Sequence, residues 1–219
     1  MTRRHLAVLA LAYAIFSALY LGASLIGLRD AVVLTPSAVD ARIPFVGWSI
    51  WVYLSQFPLL GFVFWNAADS PAWGRSLRSM LVATLLSVAV FVALPTRLDR
   101  APIDGSAVTS VAFAALYLFD PPSNCFPSLH VSLALLGALA FWPERRRLTL
   151  GCLAWAALIA ASTLTTRQHV LVDVAGGAAV ALAAHWLTRW QESRTPRAFA
   201  ETDLASRISA GQEIRVRGS

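Results

Sequence analysis

Two histidines and a carboxylate sit where ionisable groups are costly. His169 and Asp173 are four residues apart, a spacing that puts both on one helical face within contact distance. His130 and Arg167 lie, like them, at the edges of strongly apolar stretches, where charged side chains are functional candidates by default. Asp173 can accept a hydrogen bond from one ring nitrogen of His169 and leave the other free to attack, the orienting logic of a catalytic triad. His130 has no such partner in sequence. It suits a general acid that protonates a departing oxygen and then acts as base for the acceptor.

The run Cys125-Phe126-Pro127-Ser128-Leu129-His130 supplies an electrophile site. A proline near the first helical position leaves the following backbone N–H groups free. With the Ser128 hydroxyl they form an anion site at a helix N-terminus. Arg100 and Arg167 complete a phosphate clamp, because guanidinium matches phosphate oxygens two at a time. A phosphate beside two histidines and a buried carboxylate points to phosphoryl transfer through a covalent phosphohistidine. No Cys/His spacing fits a metal, and only one acid lies near the two histidines, so no metal and no cofactor is expected. Two readings compete from outside this chemistry. A b-haem carrier would use His130 and His169 as axial ligands but leaves Ser128, Arg167 and Asp173 without work. A non-catalytic lipid-binding protein would never incorporate phosphate.

These residues must be held by a membrane bundle. The chain has 219 residues, of which 57% are hydrophobic and 14% charged, with mean hydropathy +0.61. Soluble domains carry about 25% charged residues. A water-soluble fold of this size could not hide so much apolar surface, which excludes a soluble Rossmann or TIM enzyme, a coiled coil and a disordered chain. All 18 basic residues are Arg and none is Lys. A phosphate-binding P-loop and a lysine Schiff base are therefore excluded.

Six stretches approach the roughly 20 residues that cross a bilayer: Leu6–Leu28, Phe45–Trp65, Leu77–Leu94, Pro127–Trp142, Leu148–Thr166 and Val170–Trp190. The fourth is short. The first outruns a signal-peptide core and reads as a retained helix. The expected fold is all-α, a polytopic bundle of six transmembrane helices over residues 1–190, followed by a polar, disordered tail over 191–219. Six crossings put both termini on one side. That side holds Arg3, Arg4, Arg75, Arg78, Arg145, Arg146, Arg147 and every Arg from Arg189 onward; the other holds Arg29, Arg42, Arg97, Arg100 and Arg167. The positive-inside bias places the termini in the cytoplasm and both histidines on the extracytoplasmic face. The net charge of +6 thus reports orientation, and no nucleic-acid partner is expected. Ser106–Phe119 is apolar but too short to cross, and is expected at the interface, over the site. Gly176-Gly177 is expected to permit close helix packing.

Pro127-Ser128-Leu129-His130 resembles a Pro-Ser-x-His signature of the type 2 phosphatidic acid phosphatase (PAP2) superfamily. Ser162-Thr163-Leu164-Thr165-Thr166-Arg167-Gln168-His169-Val170-Leu171-Val172-Asp173 is similar to a further signature, with a Ser seven residues before a His and an Asp four after it. Asn124-Cys125-Phe126-Pro127-Ser128-Leu129-His130 and Thr166-Arg167-Gln168-His169 look closest to the inositol phosphorylceramide synthase branch. The resemblance covers about residues 45–190. It implies a six-helix fold in the inner membrane of a bacterium, an outward-facing, metal-independent phosphohistidine site and a lipid phosphate substrate. The acceptor is water in a phosphatase, or an alcohol in a head-group transferase. The usual first signature, a Lys, six residues and Arg-Pro, has only Pro95-Thr96-Arg97-Leu98-Asp99-Arg100-Ala101-Pro102 as its counterpart. It implies phosphate binding by Arg100, with Arg97 as stand-in for the Lys. The Arg that commonly follows the signature Ser is Thr163 here, and Leu129 stands where many hydrolytic members carry Gly.

Overall fold

A computed structural model describes residues 1–27, 31–100 and 106–194. Arg29, Pro102 and the part of the expected tail from residue 195 onward lie outside the described residues. Among the described residues the regular structure is helical apart from one two-residue ladder. In order it forms α1 (Arg3–Gly27), β1 (Val32–Val33), α2 (Ile50–Leu54), α3 (Gln56–Ala67), α4 (Pro71–Ala93), β2 (Thr96–Arg97), α5 (Ala107–Phe119), α6 (Leu129–Leu139), α7 (Arg146–Thr165) and α8 (Leu171–Arg194). Strands β1 and β2 pair in parallel, Val32 opposite Thr96.

Local chemistry explains where the elements depart from the apolar stretches. The second stretch is interrupted at Ser55, between α2 and α3. Pro58 has no N–H to offer the Leu54 carbonyl four residues back, so the helix cannot run straight through. The Ser55 hydroxyl donates to the Val52 carbonyl and accepts from the Trp155 indole N–H, 2.8 Å away. Helix α4 starts at Pro71, earlier than the expected Leu77, because proline suits a first helical turn. Arg75 and Arg78 therefore lie in the helix. Arg75 is buried and bonded to Glu144 (3.1 Å) and Glu192 (3.0 Å). Helix α8 runs to Arg194, so residues 191–194 belong to it and not to the tail.

Among the described residues, five helical stretches are long and apolar enough to cross a membrane. The fourth expected crossing holds only the 11 residues of α6, about 17 Å of helix, and continues through turns to Arg145. Helix α6 is the interior helix of the bundle, packed against α4, α7 and α8. Ala134 and Ala138 face Leu59, Val63, Phe141 and Ile159. Leu129, Leu133 and Leu136 face Phe64, Met80 and Phe91.

Contacts at the ends of the helices divide the bundle into two poles. At one, His5 at the start of α1 meets Trp73 at the start of α4, with ring centroids 4.6 Å apart. There Glu144 also meets Arg75 of α4 and Arg189 of α8. At the other pole, Ser24 of α1 bonds Ser123. Val46 donates to Thr165 at the end of α7, and Ser128 before α6 donates to Asp173 at the start of α8.

The seam between α6 and α8 depends on Gly177. A Cβ there would drive into the Ser128 carbonyl oxygen, and it would stand 3.1 Å from Val131 Cβ. The Ser132 hydroxyl bridges the Ser128 and Gly177 carbonyls at 3.0 and 2.8 Å. Gly177→Ala is expected to lower the thermal midpoint in detergent, because overpacking costs about 1–3 kcal/mol. Gly151→Ala, in open space on α7, is expected to hold or raise it through helix propensity. Equal midpoints for the two variants would show that the seam is not tightly packed.

Candidate active site

The site begins with the end of α7. Its last turn is rich in hydroxyls, and these satisfy carbonyls that a helix terminus leaves open. Ser162 donates to Ile159, Thr163 to Ala160 and Thr166 to Ser162. The chain then leaves by a Schellman-type turn. Gln168 N–H returns to the Thr163 carbonyl (2.9 Å) and Arg167 N–H to that of Leu164 (3.0 Å). Arg167 occupies the left-handed position of this turn, φ 55°, where glycine is usual. The same Thr163 carbonyl receives the His169 N–H at 3.1 Å, which fixes the histidine backbone.

His169 Nδ1 lies 3.3 Å from Asp173 Oδ2. Oδ2 also accepts the Val170 N–H at 3.0 Å. Asp173 is fully buried, and its Oδ1 has no hydrogen-bond partner among the described residues. His169 Nε2 is left for the pocket that His169 helps to line. That pocket is lined further by Tyr20, Arg100, Asp120, Asn124, Cys125, Arg167 and Gln168. Arg100 reaches it from the loop after β2. Its guanidinium lies 4.1 Å from the Tyr117 ring centroid and donates to the Tyr117 carbonyl (3.0 Å) and to the Asp120 carbonyl. These are the open carbonyls of the α5 C-terminus, where a cation is favoured. A guanidinium has five N–H donors, so others remain for an anion.

Ser128 is placed differently from the expected anion site. Pro127 precedes the helix, and Ser128 is the N-cap, its hydroxyl accepting from the Val131 N–H at 3.4 Å. Its own N–H is bonded to the Asp173 carbonyl at 3.0 Å. Ser128 is fully buried and does not line the pocket. Nor does Arg97, an exposed residue whose backbone joins the β1–β2 ladder and bridges to Ser123. His130 is not a lining residue either. It stacks on the Tyr53 ring, centroids 3.9 Å apart at 16°, with Nε2 3.2 Å from the Tyr53 carbonyl. Thus His169, Arg100 and Arg167 line the pocket, Asp173 reaches it only through His169, His130 packs on Tyr53 outside the lining, and Ser128 supports the helix seam.

Several contributors carry no pattern in the sequence. Asp40, in the stretch that reads as loop, accepts the Leu171 N–H at 2.8 Å and so caps α8 from 131 residues away. Burial tends to raise its pKa, but hydrogen bonds from Ser37 and Leu171 together outweigh this and hold the carboxyl below its usual range. Asp120 ends α5, where the helix dipole disfavours a carboxylate. That local conflict is the one sequence signal that marks it. Burial raises its pKa, against the opposing pull of the Tyr20 hydroxyl, His169 and Arg100. Burial, with the charges of Asp173 and Asp120, pushes the Cys125 thiol up to about 12, which disfavours the nucleophilic thiolate. Among the described residues no group of three His, Cys, Asp or Glu side chains could hold a metal ion.

The sequence profile of the PAP2 superfamily matches residues 33–187, so the chain belongs to that superfamily. No curated protein and no solved structure matches it. The match begins after α1, which nonetheless brings Tyr20 to the pocket.

Arg167→Gly separates binding from folding. Glycine relieves the left-handed strain, about 1 kcal/mol, while its greater unfolded-state entropy takes some of that back. The thermal midpoint is expected to hold or rise. Affinity for inorganic phosphate, measured by calorimetry, is expected to fall about tenfold or more with a charged hydrogen-bond donor gone. A parallel loss of stability would make Arg167 a structural residue.

Proposed function

We propose that this PAP2-superfamily protein is an integral-membrane phosphohydrolase or phosphotransferase that acts on a lipid phosphate through a phosphohistidine at His169. The observation that carries this reading is the buried Asp173 holding Nδ1 of His169, with the opposite nitrogen left for a pocket that also presents Arg100 and Arg167. Nε2 attacks phosphorus as the bond to the ester oxygen breaks. His130 delivers a proton to that oxygen. Arg100 and Arg167 stabilise the charge that gathers on the phosphoryl oxygens. The acceptor then loses its proton to His130, its oxygen attacks phosphorus, and the N–P bond breaks to restore His169. The proposed step uses no metal, and the site residues alone carry the proton and the charge.

With water as acceptor the protein is a phosphatase. With a lipid or polyol alcohol it is a head-group transferase of the inositol phosphorylceramide synthase type, a branch favoured by Asn124–His130 and Thr166–His169 and by Leu129 in the position after Ser128. The proposed topology has six crossings, with α6 and the turns after it as the fourth. Termini lie on the arginine-rich cytoplasmic side of a bacterial inner membrane, and the pocket faces the extracytoplasmic leaflet.

The deciding experiment incubates the purified protein with lipid phosphates labelled at phosphorus, with and without glycerol or inositol. Turnover and acid-labile label on the protein are expected, both unchanged by EDTA. His169→Ala is expected to lose at least a hundredfold in turnover together with the label. Activity lost on chelation and restored by a divalent ion would replace this mechanism with a metal-assisted one.

Sidedness is tested with Ala107→Cys and Asp69→Cys, both exposed positions, in a background where Cys125 and Cys152 are alanine. An impermeant thiol reagent on intact cells is expected to label position 107 and not 69. The reverse pattern would invert the topology.

A further inference from the structure

The nucleophilic half of the site explains itself, since Asp173 orients His169. The other half needs an equivalent for His130, and its neighbours supply one. Nε2 of His130 lies 3.2 Å from the Tyr53 carbonyl. A carbonyl only accepts, so this nitrogen carries the hydrogen and Nδ1 is left as the working atom. The Tyr53 ring, 1% exposed and packed with Ile50, Ala112 and Phe113, stacks flat on the imidazole. Tyr53 therefore holds His130 twice, by its carbonyl and by its ring.

Tyr53 is in turn anchored at its far end. Its hydroxyl reaches Asp120 Oδ2 at 3.5 Å, while Oδ1 of the same carboxyl takes a short hydrogen bond, 2.6 Å, from Tyr20. Tyr20 comes from α1, which is fastened to the loop before α6 by Asn124 donating to the Tyr20 carbonyl (2.8 Å) and by the Ser24–Ser123 hydroxyl pair (2.6 Å). A carboxylate at the end of α5 does nothing for that helix. It does give two tyrosines from separate helices a common partner.

We propose that Tyr20, Asp120 and Tyr53 form a positioning unit for His130, so that the first helix, outside the part of the chain that matches the family, sets the aim of the proton donor. This rests on the phosphoryl-transfer reading above and adds the device that directs its second histidine. The unit makes His130 work through Nδ1, as Asp173 makes His169 work through Nε2.

A donor that is held out of line matters in proportion to the leaving group's need for a proton. Cleavage of dioctanoyl phosphatidic acid releases an alkoxide, which must be protonated; p-nitrophenyl phosphate releases a stable phenolate, which need not be. Tyr20→Phe and Tyr53→Phe remove only hydroxyls and keep both rings in place, and unchanged thermal midpoints verify this. Each is expected to lower kcat about tenfold more on the alkyl ester than on the aryl ester. His130→Ala is expected to show the same bias more strongly. Equal losses on the two esters, or no loss on either, would overturn the positioning role and leave the nucleophile assignment standing. A wild-type protein that turns over neither ester, with or without glycerol or inositol, would overturn the enzymatic reading and this inference with it.

Discussion

The Ser128 amide that donates to the Asp173 carbonyl joins two helices at the level where their histidines stand. The placement of both histidines is tied to that junction. It sets His130, two residues past Ser128, in fixed relation to His169, four residues before Asp173. It requires Gly177 one turn along α8, because no Cβ fits against the Ser128 carbonyl. Ser132 closes the seam from the other side. A bundle in lipid lacks the hydrophobic drive that presses soluble helices together, and small residues with side-chain hydrogen bonds take its place.

The opposite pole is held by charge. Arg75, Glu144, Arg189 and Glu192 link α4, the end of the α6 leg and α8. Burial tends to raise the Glu144 pKa, but its own backbone N–H and the flanking arginines outweigh this and keep the carboxyl low. The two poles thus use different glue. One is backbone and hydroxyl contact at close range, which tolerates little displacement; the other is a network of long side chains, which tolerates more. A catalytic pole needs the first kind, because reacting groups displaced by an ångström lose much of their rate.

What the sequence made legible was short-range. The spacing of His169 and Asp173, four residues on one helix, already contained their contact. Apolar stretches marked the long helices, but Pro58 and the paired arginines of α4 moved boundaries that hydropathy alone cannot see. Arg75 looked like the edge of a crossing because its partners, Glu144 and Glu192, are far away in sequence. Ser128 drew attention as an anion ligand, whereas the structure shows it capping α6 and bonding to α8; an N-cap serine and an anion-binding serine have the same local signature. Asp40 capping α8 and Tyr20 bonding Asp120 join segments 131 and 100 residues apart. No periodicity encodes such pairs, since they arise only when the bundle closes.

Cys125 borders the pocket, and burial together with the charges of Asp173 and Asp120 pushes its thiol up to about 12. A thiol that does not ionise neither exchanges with disulfides nor yields readily to oxidants, since both reactions proceed through the thiolate. Cys152 is buried with Ala134, Ala138 and Ile159 and is free as well. The same burial that raises the Cys125 thiol thus disfavours thiolate chemistry at the rim of the pocket, although a sulfur atom stands there.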